Sequence, residues 1–390
     1  MDFALAEHQK LMLETARQIG REFGVEYWRR LDAEKRFPAE MWQAICKAGL
    51  CGVALPEAHG GSGLGMLDLA LVIEALTEGG AGATLAQVFM VNPIFGGVAL
   101  SRYASAEMRD AYLPKIISGE INCCMALTEP DAGSNTLEIR TFATPVGNGW
   151  RLNGRKVWIT AVPDAQKMLV VARTKTVAES TRRTDGISLF FIDVERSGLT
   201  FSPIEKVGTH TLSASAVFFD DVKVDGAELI GTLHGGWPEL LHVLNTERIV
   251  TTAGLVGAAR LATRLAVDYA RERKVFNGTP IGAYQGLQFP LARATAEIEA
   301  ASTLNLKAAW KCDQGLPYGS EANMAKVVSA RAATDAIERA MQTLGGMGYA
   351  KEFHVERLWR DARLFLFAPV SEEMALNFIA VHDLKMPRSY

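Results

Sequence analysis

Residues 123–160 read CCMALTEPDAGSNTLEIRTFATPVGNGWRLNGRKVWIT and lie between two regions of helical periodicity. The apolar run MALT is followed by Glu129 and Pro130. Proline disfavours the continuation of a helix or a central strand, so we expect the backbone to turn there. The next five residues, DAGSN, have small side chains and hydroxyls that let a bulky ligand approach the main chain closely. The plainer alternative is an ordinary loop, because Gly, Ser and Asn are common in loops.

A β-hairpin is predicted shortly after this turn. Asn148-Gly149 is a strong hairpin signal, and the runs on either side alternate well enough to pair. Three later segments have the composition and alternation of strands: residues 167–173, 186–194 and 213–222. The region from 122 to 224 is therefore predicted to form a compact β-domain.

The N-terminal region has the spacing of a helix. Apolar residues follow one another in steps of four, three and four at Met12, Ala16, Ile19 and Phe23. One uncharged run, residues 79–101, is 23 residues long and would qualify by length as a membrane span. Several glycines, an asparagine and a proline interrupt it, so we expect buried helical segments with a turn and no membrane insertion.

Long helices are predicted again after Pro238, the first of them running to about Arg273. Small and apolar residues cover most of its faces from 249 to 267, and Gly254 and Gly257 permit close approach of another element. A helix that is apolar nearly all round is buried in a bundle or at a subunit interface. The order of helices, strands and helices argues against a βαβ fold. The predicted domains are residues 1–120, 121–235 and 236–390.

Composition excludes several functional classes. The 390-residue chain has a net charge of −3 and no long Lys/Arg run, so nucleic-acid binding lacks the basic patch that it needs. Five cysteines without CxxC spacing argue against a disulfide framework or a zinc site and fit a reducing cytoplasm; we expect no metal. The N-terminal residues, MDFALAEHQK, lack the basic and apolar regions of a secretory signal, so we expect none. No P-loop, GxSxG or HExxH motif occurs, and no GxGxxG follows a strand.

Three elements resemble one known family. The string ALTEPDAGSN with KVWIT after it resembles the flavin-binding signature of the acyl-CoA dehydrogenases, although Asn135 stands where the pattern usually has Asp. Residues 271–285, RERKVFNGTPIGAYQ, are similar to the family's ERxxFG…Q element; taken alone, they are a basic helix end and a turn. Residues 342–349, QTLGGMGY, with RDAR at 360–363, are similar to its QxxGGxGY…RDA signature.

The resemblance covers essentially the whole chain and implies the fold and the cofactor. The implied fold is α+β, with an N-terminal helical domain, a middle β-barrel-like domain that binds flavin and acyl-CoA, and a C-terminal four-helix bundle. The implied cofactor is FAD, and the implied assembly is a homotetramer.

The resemblance also implies the residues that contact ligands. The expected cofactor contacts are Leu127, Thr128, Gly133, Ser134, Trp158, Ile159, Thr160, Arg273, Phe276, Gln285, Gln342, Gly345, Gly346, Ser371 and Glu373. Arg273 and Gln285 are expected to reach the flavin nucleotide of a neighbouring subunit. Asn277 stands where glycine is usual, and one extra residue precedes Pro280, which leaves the path of that loop open. The expected substrate contacts are Ser134, Asn245 and Arg248.

The catalytic base departs from the commonest family pattern. Many members have a glutamate shortly after the RDA element, and an ungapped count puts Pro369 there, which can neither accept a proton nor donate a backbone N–H. The isovaleryl- and long-chain-type subgroup has its base in an ER pair on the preceding long helix, which here is Glu247-Arg248. Glu247 stands among apolar residues in the sequence. It either belongs to a structural ion pair or acts as a base whose pKa is raised by burial. The subgroup match favours the base.

The resemblance implies an activity in fatty acid metabolism. Glu247 would remove the α-proton of an acyl-CoA thioester, the product would be the trans-2-enoyl-CoA, and the electrons would pass to an electron-transferring flavoprotein. Pro369 keeps open two related reactions on the same scaffold, enoyl-CoA reduction and acyl-CoA desulfination. A nucleic-acid-binding flavoprotein of the same superfamily is a further alternative, which the net charge disfavours.

Overall fold

The computed structural model describes residues 4–388, so the outer ends of the first and last predicted domains, at residues 1 and 390, lie outside it. Within this range the N-terminal region is helical, as predicted. Its α-helices are α1 (Glu7–Glu22), α2 (Val25–Glu34), α3 (Ala39–Lys47), α4 (Met66–Leu76), α5 (Thr84–Phe89), α6 (Ala99–Tyr103) and α7 (Ala106–Ile117). Two π-helical segments, Thr77–Ala81 and Met90–Val98, connect α4 to α6. Helix α1 buries Leu13, Ala16 and Ile19 on one face.

One stretch of the described chain, Thr84–Tyr103, is long and apolar enough to cross a membrane by length and composition. Its 18-residue apolar window is 94% buried inside the chain. Left-handed Gly82 (φ 68°) separates it from the preceding π-helical segment. The stretch is therefore a core element, as the buried-helix interpretation of residues 79–101 predicts.

The middle region is an eight-stranded sheet. Its strands are β1 (Cys123–Ala126), β2 (Phe142–Val146), β3 (Gly149–Thr160), β4 (Lys167–Arg173), β5 (Ile187–Asp193), β6 (Leu199–Pro203), β7 (Ala214–Val224) and β8 (Leu229–Ile230). The order is β6-β7-β3-β2-β4-β5-β8, and β1 pairs in parallel with β4. The three predicted strands after the hairpin correspond to β4, β5 and β7. The predicted domain boundaries fall between α7 and β1 and in the segment that follows β8.

The hairpin exists, but the predicted turn is wrong by one residue. Val146 of β2 pairs with Gly149 of β3, so the two-residue turn is Gly147-Asn148, with Gly147 at φ 60°. Gly149 instead begins the strand, where a Cβ would come within 2.2 Å of the Val224 carbonyl oxygen on β7. The neighbouring strand therefore requires a glycine at 149, a constraint that local sequence does not reveal.

The sheet is buried on two faces. In β4, Leu169 and Val171 join the core that contains the N-terminal helices, because alternate residues of a strand face opposite sides. Met168, Val170 and Ala172 join a second core with residues of β3, β5 and β7. Strands far apart in the order share that core, so the sheet curls around it, in agreement with the barrel-like domain that was predicted.

The C-terminal region is a helical bundle. Its elements are α8 (Trp237–Glu272), the short strands β9 (Lys274–Val275) and β10 (Thr279–Pro280), then α9 (Gln285–Asp313), α10 (Gly319–Leu344), α11 (Val355–Arg363) and α12 (Glu372–His382). Helices α8, α9 and α10 pack on one another, and α12 packs on α10. The predicted first helix, from Pro238 to about Arg273, corresponds to α8.

The glycines of α8 face the same chain and not a free surface. A Cβ on Gly254 would lie 2.3 Å from Ala86 Cβ, and one on Gly257 would lie 1.9 Å from Thr77 Oγ1. Helix α8 therefore packs against the N-terminal helices at these positions, and its apolar faces are covered within one chain. The expectation of a tetramer receives no support from this helix.

Helix α11 connects the three regions. Asp361 accepts hydrogen bonds from Thr84 Oγ1 at 2.8 Å and from the Thr209 backbone N–H at 2.5 Å. Arg357, 3% exposed, donates to the Gly80 carbonyl at 2.6 Å. The N-terminal helices and the β-domain are thus fixed to one short helix of the bundle.

Candidate active site

The end of β1 and the middle of β3 lie side by side. The Val157 N–H donates to the Thr128 carbonyl at 2.9 Å, and the pairing of β3 with β7 shifts register between Lys156 and Ile159. At this bulge Trp158 has a left-handed backbone (φ 63°) and a side chain that is 55% exposed. Bulges beside active sites redirect side chains, and a positive φ on a bulky residue marks a constrained site. Trp158 therefore projects from the sheet next to the Leu127-Thr128 segment.

The DAGSN turn presents exposed groups at its tip. Glu129 and Ala132 exchange backbone hydrogen bonds of 3.2 and 3.1 Å, which close the turn, and Gly133 and Ser134 are exposed. Within residues 4–388 no hydrogen bond engages the hydroxyls of Thr128, Ser134 and Thr160, so they are free to bind a ligand. Ile159 differs, because its side chain is buried in the sheet core and only its backbone can face a ligand.

Glu247 is a buried carboxylate that has no hydrogen-bond or ion-pair partner among residues 4–388. It lies on α8 with 4% of its surface exposed, and the nearby Ile249 and Val250 are fully buried. Burial raises its pKa to about 8, against the opposing effect of the Arg248 charge. In the described part of the chain no hydrogen bond or ion pair reaches this carboxylate, so the structural ion-pair alternative has no support. A strongly perturbed, unpaired carboxylate is a candidate general base.

Asn245 and Arg248, two of the expected substrate residues, contact each other one turn apart. Arg248 Nη1 donates to Asn245 Oδ1 at 2.6 Å. Its Nε is buried without a hydrogen-bond partner. A buried N–H without an acceptor is costly, so this guanidinium has hydrogen-bonding capacity available for a ligand beside Glu247.

Lys326, which sequence reasoning missed, lies near the same place. It is fully buried on α10, and its Nζ donates a long hydrogen bond, 3.4 Å, to the Leu366 carbonyl. Burial lowers its pKa to about 8; the nearby Glu372 charge opposes this and the Arg248 charge adds to it. Lys326 thus joins α10 to the segment that contains Pro369. A lysine inside an Ala-rich helix gives no local signal of such a position.

The segment between α11 and α12 contains no carboxylate side chain. The two glutamates that follow it, Glu372 and Glu373, are respectively paired with an arginine and exposed to solvent. Pro369 is exposed and follows a cis peptide bond. Glu372 is held by Arg331, whose Nε lies 2.9 and 3.0 Å from its two oxygens. Ser371 Oγ caps α12 by accepting from the Met374 N–H at 3.2 Å, and Glu373 is exposed.

The remaining expected cofactor residues lie at the other end of the bundle. Gly319 lies near Asn245, and Ser329 Oγ bonds Thr252 Oγ1 at 3.3 Å, so α10 and α8 run in the same direction. Their C-terminal ends therefore lie at one end of the bundle. The expected residues there are Arg273, Phe276, Gln285, Gln342, Gly345 and Gly346, all exposed. The structure thus separates this group from Glu247, which lies near the start of α8.

Comparison with known proteins identifies the family. Family models described as the acyl-CoA dehydrogenase N-terminal, middle and C-terminal domains match residues 6–120, 124–222 and 234–382. The chain belongs to the acyl-CoA dehydrogenase family. The acyl-CoA dehydrogenase FadE12 of Mycobacterium tuberculosis is 37% identical over 386 residues, covering 98% of this chain and 97% of that protein.

Two further relatives match nearly the whole chain. The 3-(aryl)acrylate reductase of Clostridium sporogenes is 31% identical over 378 residues, covering 95% of this chain and 98% of the reductase. The structure of glutaryl-coenzyme A dehydrogenase in complex with glutaryl-CoA aligns with a TM-score of 0.95 at 30% identity, covering 100% of this chain and 98% of the other. As an acyl-CoA dehydrogenase, the protein is an FAD-dependent oxidoreductase that acts on CH–CH bonds.

The residues of this acyl-CoA dehydrogenase fit FAD. A Cβ on Gly133, Gly345 or Gly346 would meet nothing within 4 Å, so the backbone at each faces open space. The Arg273 side chain is exposed, and no hydrogen bond or ion pair engages it within residues 4–388. A free guanidinium suits phosphate oxygens, and the exposed Trp158 offers an aromatic face for a ring.

The described residues include no group of three or more His, Cys, Asp or Glu side chains placed to hold a metal ion. All five cysteines are buried free thiols.

Proposed function

We propose that this acyl-CoA dehydrogenase removes the α-proton and β-hydride of an acyl-CoA thioester and forms the trans-2-enoyl-CoA. The observation that supports it best is Glu247, a buried carboxylate whose pKa is raised to about 8 and which has no partner among the residues that the structure describes. Desolvation makes such a group a stronger base than an exposed glutamate once it is ionised. The family membership supplies the redox chemistry: FAD, when bound, accepts the hydride.

The chain's own residues would bind, orient and deprotonate the substrate. Glu247 accepts the α-proton inside a shell of buried apolar residues, where water is excluded and electrostatic interactions are stronger. Arg248, held by Asn245 at 2.6 Å, offers a guanidinium to the substrate one residue from the base. Trp158 and the Leu127-Thr128 segment limit where the flavin ring can lie. Pro369 supplies no backbone N–H, so the donors to the enolate oxygen must come from elsewhere.

The experiment that tests this function is anaerobic bleaching of the bound flavin by short, branched, long and cyclic acyl-CoAs. At least one thioester should reduce the flavin in a single turnover, and product analysis should show the matching trans-2-enoyl-CoA. A protein that binds FAD but is bleached by no thioester contradicts the proposal. A product that has lost a sulfinate group points to desulfination instead.

A second candidate is reduction of an enoyl-CoA, the reverse reaction. It is favoured by the relative named 3-(aryl)acrylate reductase and by the raised pKa of Glu247, which leaves most of that carboxyl protonated at pH 7. A protonated Glu247 can donate the proton that α-carbon protonation requires. Anaerobically photoreduced protein should then be reoxidised by an enoyl-CoA faster than the oxidised protein is reduced by the matching acyl-CoA.

We further propose a homotetramer in which a second copy completes each site. Along α8, Arg273 lies about 39 Å from Glu247 at 1.5 Å per residue. One chain therefore places its free guanidinium far from its own base. Exposed apolar side chains near the same end support assembly there, with Phe276 90% and Tyr349 82% exposed. Light scattering of the FAD-loaded protein tests this, and a monomer that retains full flavin contradicts it.

The electron acceptor and the location are proposals that rest on the family resemblance and on composition. Electrons would leave to an electron-transferring flavoprotein, so substrate in air should give little hydrogen peroxide. Rapid peroxide formation would indicate an oxidase. The buried free cysteines fit the proposed cytoplasmic location.

A further inference from the structure

Two buried charged residues that the reaction does not use lie directly behind the flavin-facing turn. Glu129 and Lys156 form an ion pair, with Nζ and Oε1 2.9 Å apart and side chains 7% and 0% exposed. Burial lowers the pKa of Lys156 to about 8, against the opposing charge of Glu129. Burial alone would raise the pKa of Glu129, but Lys156 and hydrogen bonds keep it below its ordinary value.

Lys156 holds the segment that faces the flavin. Its Nζ also donates to the Leu127 carbonyl at 2.8 Å. The next residue, Val157, donates its N–H to the Thr128 carbonyl at 2.9 Å, and the one after it is Trp158 at the bulge. Lys156 is thus bonded to the Leu127-Thr128 segment on one side and is two residues from Trp158 on the other.

Glu129 closes the base of the DAGSN turn. Its two oxygens accept from the Arg140 N–H at 2.6 Å and the Thr141 N–H at 2.9 Å, so residues 129 and 141 are held together and Ser134 is presented between them. Arg173 adds to this closure from β4 by donating to the Leu137 carbonyl at 2.6 Å and the Ile139 carbonyl at 3.2 Å.

We propose that Glu129 and Lys156 are positioning residues for FAD, which set the distance between the Leu127-Thr128 segment, the Ser134 turn and Trp158. A buried ion pair adds little net stability compared with apolar residues of similar size. Its specific contribution is geometry, because the two side chains together fix three backbone groups, those of Leu127, Arg140 and Thr141. Both side chains are buried, so they would act through the backbone that is proposed to contact the flavin.

The test compares FAD affinity, the absorption spectrum of the bound flavin and the thermal unfolding of the apoprotein in E129Q, K156M and E129Q/K156M. Removing either partner should weaken FAD binding at least tenfold and change the spectrum of the flavin that still binds. Because the pair acts as a unit, the double variant should lose no more FAD affinity than the worse single variant.

The matched control is E74Q. Glu74 is another buried acid in an ion pair, 4% exposed and bonded to Arg260 at 2.8 Å, but it lies among α4, α8 and α9. E74Q should leave the FAD dissociation constant within twofold of the wild type even if it lowers the unfolding temperature. An equal loss of FAD affinity in E74Q would overturn the proposal, since the effect would then follow stability alone.

A milder variant keeps the proposal testable if the others do not fold. E129D retains the negative charge beside Lys156 but shortens the side chain by one methylene, which disturbs the bonds to the Arg140 and Thr141 amides. We expect weaker FAD binding and a shifted flavin spectrum in E129D. A folded E129D, E129Q or K156M protein with wild-type FAD affinity and spectrum would overturn the proposal.

Discussion

Arg248 donates a hydrogen bond to Asn245 at 2.6 Å, and within residues 4–388 it forms no ion pair with the adjacent Glu247. The side chains of these two neighbours on α8 therefore do not form a salt bridge with each other. The guanidinium is fixed by an amide, and the carboxylate remains buried and available.

The first prediction concerns the identity of the base. Glu247→Gln keeps the volume of the side chain but removes the proton acceptor, so FAD and acyl-CoA binding should persist while single-turnover flavin reduction slows about 10²–10⁴-fold. The control is Glu297→Gln, an exposed acid on α9. If Glu247→Gln reduces flavin at the wild-type rate, Glu247 is structural, and Glu372 and Glu373 become the next candidates.

The second prediction concerns pH. Burial raises the pKa of Glu247 to about 8, so below that value most of the carboxyl is protonated and cannot accept a proton. The rate of flavin reduction by an acyl-CoA should therefore rise with pH and level off above about pH 8. Stopped-flow single turnovers across this range test the slope. A rate that is flat or falls over the same range argues against an ionised Glu247 as the base.

The third prediction concerns stability. Glu247 has an ordinary pKa of 4.5 in the unfolded chain and about 8 in the folded protein. Between these values the folded state retains a proton that the unfolded state releases, so stability falls as pH rises, by on the order of 5 kcal/mol in total. Glu247→Gln should lack this slope, and its advantage over the wild type should grow from about pH 5 to about pH 8. Urea unfolding at several pH values measures this. If the free energy of unfolding changes with pH to the same extent in the two proteins, the prediction is wrong.

The fourth prediction concerns assembly. Arg273→Ala should weaken FAD binding if Arg273 binds its phosphates as proposed, because the variant lacks the guanidinium that suits phosphate oxygens. If each Arg273 serves a neighbouring chain, mixed oligomers of Arg273→Ala and Glu247→Gln contain some sites with an intact Glu247 and an intact Arg273. Co-refolded mixtures should then reduce flavin faster than the sum of the separate variants. Activity equal to that sum would show that each chain builds its own site.

The fifth prediction concerns Pro369. Proline has no N–H to donate, so replacing it removes no hydrogen bond to the substrate. Pro369→Gly should leave single-turnover flavin reduction unchanged or raise it, because it adds a backbone N–H at the position that the ungapped count assigns to the thioester donor. A loss of activity with intact folding and FAD content would show that the shape of the Pro369 segment is itself required.

Much of the fold could be predicted from the sequence because it depends on local pattern. The period-two run at 167–173 is observed as β4 (Lys167–Arg173), and the long helix predicted from Pro238 is observed as α8 (Trp237–Glu272). The order of helical, β and helical regions follows from the same periodicities. The three motifs pointed to the family and its cofactor, which the comparisons confirm. Residue-level roles stay predictions.

Other features were decided only by tertiary structure. The hairpin turn lies at Gly147-Asn148 because β7 approaches Gly149, and the glycines of α8 pack on the chain's own N-terminal helices. Lys156 lies in a polar-looking strand segment, yet it is buried against the Leu127 carbonyl and Glu129. Sequence by itself therefore determined the elements, their order and the cofactor class. Whether a charged side chain is buried and paired depends on elements distant in the chain. Only the tertiary structure therefore showed that Lys156 is paired with Glu129 and that Glu247 has no partner among the described residues.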